Sequence, residues 1–158
     1  MKSHRTGLLL AGMFAVAVAV PSSWAQAPGH VMVMPQDLKW APVASLPGTQ
    51  IAVIEGPLNE SVPFTFRLKL PAGYKIPAHW HPAIEHVTVI SGTFYLGMGD
   101  KLDQAKTHAL TAGSVAIMQP KNPHFAWTKE ETIIQVHGVG PWQVNWVNPA
   151  DAPTAAKK

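Results

Sequence analysis

Strict alternation of apolar and polar residues between positions 64 and 70 restricts the fold of this chain more than any other feature. One face of this segment carries only apolar side chains, those of Phe64, Phe66, Leu68 and Leu70. The intervening residues Thr65, Arg67 and Lys69 are all polar. Side chains of an extended strand point to opposite faces in turn, so the segment predicts a β-strand with one buried face.

Similar short runs recur between residues 50 and 147, and Gly, Pro and polar residues separate them. No sustained helical period is present in this part of the chain, and no internal repeat. The predicted strands are 50–54, 64–70, 76–81, 86–90, 93–96, 107–110, 114–118, 124–128, 132–137 and 143–147. Many short strands with such punctuation favour an antiparallel sandwich or barrel. At 158 residues the chain has room for one such domain.

The first 25 residues have the layout of a secretory signal peptide. Lys2 and Arg5 precede an apolar run from residue 7 to residue 20, and small residues follow at Ala25 and Ala27. We expect cleavage after Ala25, because Pro28 disfavours the alternative cut after Ala27. An uncleaved anchor is the other interpretation, but the apolar run is short for a membrane span of ~20 residues. The mature protein is therefore expected to be exported, to a bacterial periplasm or medium, without a stable membrane span.

Charge and cysteine content exclude several classes of function. Without residues 1–25, the basic residues fall from 12 to 10 against 9 acidic ones, which leaves a net charge near +1. No cluster of Lys and Arg accompanies it, so nucleic acid is not an expected partner. The chain has no cysteine, which excludes disulfides and thiolate metal ligands.

A histidine pair within the third predicted strand indicates chemistry. His79 and His81 are separated by one residue, so both point to the same side of an extended strand. Glu85 follows four residues later, after a turn at Pro82. Two imidazoles and a carboxylate at this spacing are able to reach one ion, and they predict a metal site.

The segment resembles the first motif of the cupin superfamily, G-x5-H-x-H-x3-E-x6-G, which runs here from Gly73 to Gly92. The second cupin motif, G-x5-P-x-G-x2-H-x3-N, is similar to the segment that begins at Gly113 and places His124 in register. Three positions of the second motif depart from the pattern: Gln119 replaces Pro, Lys121 replaces Gly and Thr128 replaces Asn. The resemblance implies an all-β, cupin-type antiparallel jelly-roll β-barrel over residues 49–148. It would follow an irregular arm of residues 26–48 and precede a flexible tail of residues 149–158.

The resemblance also implies His124 as the fourth ligand beside His79, His81 and Glu85. Three imidazoles and one carboxylate leave a divalent transition metal one or two open positions, as in catalytic sites. Copper ranks narrowly first, because imidazole binds it well and an exported protein meets less Fe(II); iron, manganese and zinc follow. The alternative is a set of ordinary strand histidines without an ion.

Three further polar residues lie near this site in sequence or in the predicted barrel, and two of them are candidate neighbours of the ion. His86 follows Glu85 directly and should point to the opposite sheet face, away from the ion. Gln135 and His137 share one face of a late strand, where they would either support the ligands or contact substrate, or else form an ordinary polar pair.

Tryptophan is the remaining unusual feature of the sequence. Trp80 and Trp127 should point away from the metal, and their first interpretation is burial in a homodimer. Stacking against sugar or phenolic rings is the alternative, for which Trp142 and Trp146 are the better candidates. These two residues are also candidates for contact with the ligands or the substrate.

The leading functional hypothesis is a secreted, metal-dependent oxidoreductase. Glu85 would act as a ligand that is released to serve as general base on a small phenolic, enediol or carbohydrate substrate. A binding or sensing module without turnover is the second hypothesis, and a Zn- or Mn-dependent isomerase or lyase is the third. The fold alone does not distinguish them.

Overall fold

The computed structural model describes residues 29–152. The strands and the site reported below all belong to one compact unit, which begins at Val33. The predicted signal peptide of residues 1–25 and the part of the predicted tail from residue 153 lie outside the described residues. Between residues 29 and 152, no helix has the length and apolar character needed to cross a bilayer.

Eleven short strands make up most of the regular structure in the described part of the chain. They are β1 (Ala41–Pro42), β2 (Gln50–Glu55), β3 (Pro63–Leu70), β4 (Lys75–Trp80), β5 (Glu85–Ser91), β6 (Thr93–Met98), β7 (His108–Thr111), β8 (Val115–Met118), β9 (His124–Thr128), β10 (Thr132–Val139) and β11 (Asn145–Trp146). Single 3₁₀ turns occur at Pro35–Asp37, Gln104–Lys106 and Pro149–Asp151. Each run predicted from the sequence overlaps one of the strands β2 to β11, and the all-β prediction is confirmed.

The strands form two antiparallel sheets, as expected for a jelly-roll barrel. One sheet has six strands in the order β1-β2-β3-β10-β5-β8, and the other has five in the order β11-β4-β9-β6-β7. Neighbours in each sheet are mostly distant in sequence, so the connections cross between the sheets. In the five-stranded sheet, β4 lies beside β9 with His79 opposite His124. This pairing joins the two sequence segments that carry the predicted ligands.

The core lies between the inner faces of the two sheets. Phe64, Phe66, Leu68 and Leu70 are all buried, which confirms the face predicted from their alternation. They pack with inward residues of β5, β6 and β10 into one apolar cluster. Burying a side chain of this size contributes about 1.5–3 kcal/mol, so this strand alone supplies a substantial part of the driving force for folding.

The segment expected to be an irregular arm, residues 26–48, contributes to the sheet within its described part. Ala41 and Pro42 pair with Ile51 and Gln50 of β2. Leu46 enters the apolar core, and its carbonyl accepts a hydrogen bond of 2.8 Å from the hydroxyl of Thr49. A two-residue strand within a Pro-rich segment gives no periodic signal, because its register comes only from the strand that it pairs with.

Candidate metal centre

Three histidines converge at one end of the space between the sheets. His79 near the end of β4 and His124 at the start of β9 face each other in the ladder, with ring centroids 4.4 Å apart. His81, directly after β4, has its ring centroid 5.0 Å from that of His79 and 5.2 Å from that of His124. Each ring offers one nitrogen, and these nitrogens all lie within 4.8 Å of one another. These three residues, called the histidine cluster below, are buried and could hold a metal ion.

Backbone carbonyl groups fix the tautomer of all three rings. The Nδ1 atom of His79 lies 2.8 Å from the carbonyl oxygen of Pro77, that of His81 lies 2.7 Å from the carbonyl of Gln143, and that of His124 lies 3.1 Å from the carbonyl of Asn122. A carbonyl oxygen only accepts, so each Nδ1 must carry the hydrogen. Each Nε2 is then left with a lone pair, which is the form of imidazole that binds metals.

Glu85 completes the site from the first position of β5, and its side chain is buried. Its Oε2 atom lies 3.2 Å from Nε2 of His81 and 3.7 Å from Nε2 of His124. Once Nδ1 carries the hydrogen, Nε2 of His81 and Oε2 of Glu85 are two acceptors facing each other in a buried setting, and Nε2 of His81 has no hydrogen-bond partner there. Such a pair is stable only with a cation between its members, either a proton or a metal ion. The residues present therefore fit a bound metal.

The protonation states of the four groups follow from burial and from the single carboxylate. Burial is the main reason that the pKa of His79 falls to about 3, and the rings of His124 and His81 lower it further. Burial also lowers the pKa of His124. Burial also acts to lower the pKa of His81, but the adjacent carboxylate of Glu85, 3.2 Å away, outweighs burial and raises the pKa. Burial would raise the pKa of Glu85, yet its pairing with His81 outweighs that effect and lowers it.

The site opens onto a small cavity in the barrel interior. The volume open to the centres of water molecules is about 30 Å³, which is room for about two or three waters. Apart from the histidine cluster and Glu85, the cavity is lined almost entirely by apolar side chains, among them those of Leu68, Ile76, Val87, Phe94 and Met118. A ligand at this site therefore meets four polar groups on one side and hydrocarbon on the others.

Comparison with known proteins identifies the family. Residues 28–142, well over half of the chain, match the family model of the ChrR Cupin-like domain. The chain belongs to this cupin family. No curated protein sequence matches it significantly.

Solved structures show the same fold at low sequence identity. The polyketide cyclase RemF from Streptomyces resistomycificus superposes with a TM-score of 0.62 at 18% identity, over 79% of this cupin and 90% of RemF. An RmlC-like cupin from Ralstonia eutropha gives 0.60 at 19% identity, over 80% and 78% of the two chains. A chain in the Rhodobacter sphaeroides complex of SigE with the anti-sigma ChrR gives 0.50 at 19% identity, over 66% of this cupin and 50% of that chain.

The turn before His124 keeps the backbone of the second cupin motif despite its altered residues. Lys121, in place of the usual Gly, has a φ of 60°, and its amide N–H donates to the carbonyl of His81 over 2.8 Å. The adjacent Asn122, a residue type that tolerates this conformation, does not have a positive φ. The register of the turn places the left-handed conformation at residue 121, because the amide of this residue reaches the carbonyl of His81.

Thr128, which stands where Asn is usual in the motif, makes two hydrogen bonds with the turn that precedes β4. Its hydroxyl donates to the carbonyl of Pro71 over 2.6 Å and accepts from the amide of Tyr74 over 3.1 Å. One hydroxyl thus connects β9 to the turn that leads into β4. This connection supports the pairing that places His79 beside His124.

The structure does not bring Gln135 and His137 to the metal centre. On β10 the alternate residues Ile134 and Val136 face the cavity, so Gln135 and His137 lie on the outer face of the sheet. Gln135 accepts a hydrogen bond of 3.1 Å from Arg67. His137 stacks on His86, with ring centroids 4.8 Å apart. Strand alternation therefore turns Gln135 and His137 away from the cavity, contrary to the expectation that they support the ligands or contact a substrate there. His86 points away from the site as predicted.

Both C-terminal tryptophans lie beside the cluster. The indole N–H of Trp142 donates to Oε1 of Glu85 over 3.0 Å, and its ring stacks on that of His81 at 5.1 Å. The ring of Trp146 lies 5.7 Å from that of His79. The carbonyl group of Gln143, which orients His81, was not predicted, because a backbone carbonyl carries no signal of residue type.

Proposed function

We propose that this cupin binds one divalent transition metal ion through the histidine cluster and Glu85 and acts as a secreted oxidoreductase. The observation that carries the proposal is the buried pair of facing acceptors formed by His81 and Glu85, 3.2 Å apart. When bound, the ion would supply a redox centre or Lewis acid for dioxygen, peroxide or a chelating oxygen substrate.

The residues of the site have distinct tasks in such a reaction. Each histidine is held in one tautomer by a carbonyl, so the cluster binds without needing to reorganise. Glu85 lies at the cavity and has a lowered pKa, so it is present as a carboxylate that is able to take a proton from a bound substrate. The apolar lining excludes water and strengthens these polar interactions.

The cavity favours a phenolic or enediol substrate over a carbohydrate. A sugar needs hydrogen-bond partners around its whole ring, but apolar side chains cover the cavity away from the metal site. A phenol or enediol presents its oxygens on one side and hydrocarbon on the other, and this matches the lining.

Copper is our first choice of metal, with iron, manganese and zinc next. Three neutral imidazoles suit the late divalent metals, and the intrinsic order of affinities places copper highest among them. Elemental analysis of mature protein purified from its native compartment should give about one transition ion per chain. Protein from that compartment that retains no transition ion would contradict the proposal.

Replacing Glu85 with Gln tests the role of the carboxylate. If Glu85 serves as general base, oxygen uptake with a panel of catechols and enediols should fall by roughly 100-fold or more in Glu85→Gln, even at saturating metal. Glu55→Gln is the matched control, because Glu55 is exposed on β2, accepts a hydrogen bond from Thr65 and does not line the cavity. Full oxygen uptake by Glu85→Gln would exclude the general-base role.

A binding module without turnover is the second candidate function. The small cavity supports it, since only a few waters or a very small ligand fit without movement. The relationship to ChrR, an anti-sigma protein seen in complex with SigE, also agrees with a regulatory role. Oxygen consumption or peroxide release by the Cu- or Fe-loaded protein favours the oxidoreductase. A tightly held Zn without oxygen uptake favours the binding module, or a Zn- or Mn-dependent isomerase or lyase.

Export remains part of the proposal and rests on residues 1–25. Cell fractionation followed by N-terminal sequencing should find a periplasmic or secreted chain that starts at Gln26. A chain that starts at Pro28 would support the alternative cut. A cytoplasmic chain that retains these residues would contradict export.

A homodimer also stays a prediction. Trp127 is partly covered within its own chain, because its ring stacks on Tyr95 at 4.1 Å and its N–H bonds Thr107. It therefore gives less reason for a partner than the sequence suggested. Exposed apolar side chains occur instead on β5 and β8, at Ile90, Val115 and Ile117. Analytical ultracentrifugation at micromolar concentration should show the dimer mass, and a monomer mass throughout would refute the dimer.

A further inference from the structure

The two oxygens of the Glu85 carboxylate have different surroundings. Oε2 faces the histidine cluster, 3.2 Å from Nε2 of His81 and 3.7 Å from Nε2 of His124. Oε1 accepts the indole N–H of Trp142 over 3.0 Å. Only one of the two oxygens is therefore free to point at the site.

Packing against two neighbouring rings fixes the direction of this N–H. One contact is the edge-on ring of Phe66, with centroids 4.9 Å apart. Another is the ring of His81, stacked at 5.1 Å with an angle of 20° between planes. The backbone N–H of Trp142 also donates to the carbonyl of Leu58 over 2.7 Å.

The chain just before Trp142 is held equally closely. The amide of Gly140 donates to the carbonyl of Val62 over 3.0 Å, and a Cβ at this position would collide with the carbonyl of Glu60. The indole therefore has little freedom to turn away from Glu85. Unlike a hydroxyl or an ammonium group, its single N–H has no rotation of its own.

We propose that Trp142 is a positioning residue that limits Glu85 to one-oxygen ligation. A carboxylate is able to bind a cation through one oxygen or through both, and binding through both would fill a further coordination position. By occupying Oε1, Trp142 leaves that position open for a small oxygen-containing ligand. The inference rests on the proposed metal site, and it assigns to this tryptophan the control of how many ligand positions the protein leaves free.

A purely structural role for Trp142 makes a different prediction. A buried tryptophan usually finds a partner for its N–H, and this hydrogen bond stabilises the fold whether or not a metal binds. In that case loss of the N–H would lower the melting temperature and leave the metal coordination unchanged. Coordination of the metal, rather than stability, is therefore the property to measure.

Co(II) is a suitable probe, because its visible d–d bands weaken as the coordination number rises. Trp142→Phe keeps an aromatic ring against His81 and Phe66 but removes the donor. Replacement of Trp142 by benzothienylalanine keeps the shape of the indole as well, with sulfur in place of N–H, and serves if the Phe variant folds poorly. Trp146→Phe is the matched control, since the ring of Trp146 approaches His79 and no hydrogen bond of its N–H occurs within residues 29–152.

We expect weaker d–d bands in both Trp142 variants, together with an affinity for Co(II) changed by roughly 10-fold or more, and a wild-type spectrum for Trp146→Phe. Spectra of the Trp142 variants equal to wild type would overturn the inference. A change in Trp142→Phe alone, absent with benzothienylalanine, would overturn it too, because the ring rather than the N–H would be responsible. So would an equal change in Trp146→Phe. If the wild-type protein binds no Co(II), the proposed metal centre itself fails.

Discussion

At the residue scale, His81 and Glu85 decide the chemistry of this cupin. The carbonyl of Gln143 obliges Nδ1 of His81 to carry the hydrogen, and this leaves Nε2 without one opposite the carboxylate. The spacing H-x-H-x3-E predicted that these side chains could approach one another. It did not predict that they would meet as two acceptors, because that depends on a carbonyl 62 positions away.

The lowered pKa of His79 makes the metal-free protein sensitive to acid. A buried histidine whose pKa is about 3, against an ordinary 6.5, stabilises the fold above pH 6.5 and loses this contribution as the pH falls towards 3. Between pH 7 and pH 5 this loss amounts to about 2 kcal/mol. We expect His79→Asn to show a smaller decrease in the free energy of unfolding over this interval, measured by urea denaturation with a chelator present.

An exposed histidine provides the control for this measurement. His108 on β7 is exposed, so His108→Asn removes a histidine without removing a buried one and should keep the wild-type dependence on pH. An identical slope in His79→Asn and wild type would show that His79 is not the residue responsible.

At the element scale, local pattern predicted the strands, and their pairing decided the site. Alternation in β3 was sufficient to give its buried face, and the two-residue spacing of His79 and His81 gave their common direction. Alternation in β10 is less clean, because Ile133 shares a face with Gln135 and His137, and it did not show which of the two faces would line the cavity. Gln135 and His137 were for that reason candidates for the site, and they lie outside it.

The turn at Lys121 offers a direct test of backbone strain. A lysine at a φ of 60° adopts the left-handed conformation at a cost of about 1–2 kcal/mol, which glycine would avoid. Glycine also has greater conformational freedom in the unfolded chain, and this offsets part of the stability gained by the substitution. We expect Lys121→Gly to raise the free energy of unfolding by about 0.5–1 kcal/mol, measured by thermal and urea denaturation.

Lys129→Gly is the comparison for the turn variant. Lys129 is also exposed but is not among the residues with positive φ, so glycine there should destabilise by about 0.5–1 kcal/mol. Equal effects of the two substitutions would mean that the turn before His124 stores no strain.

At the scale of the whole molecule, metal binding should be coupled to folding. The histidine cluster joins β4 to β9 and Glu85 joins them to the opposite sheet, so an ion held there binds the folded chain and not the unfolded one. At a free metal concentration 100 times the dissociation constant, the gain in stability is about 2.7 kcal/mol. For a domain of this size we expect a rise in melting temperature of about 10 °C, measured by calorimetry with and without Zn(II) or Co(II).

His124→Ala distinguishes this coupling from nonspecific effects of metal ions. It removes the ligand contributed by β9, so its melting temperature should respond weakly to added metal. A rise equal to that of the wild type would place the bound ion elsewhere on the molecule.

The sequence by itself determined the all-β class, the position of nearly every strand and the cupin ligand pattern, because these depend on residue type and on spacing within one segment. Tertiary structure alone decided that His124 lies opposite His79, that Trp142 reaches Glu85 from 57 positions away and that Gln135 and His137 face outward. These contacts follow from strand order and from closure of the two sheets around the core. Several of them also use backbone carbonyls, which every residue possesses and no sequence pattern marks.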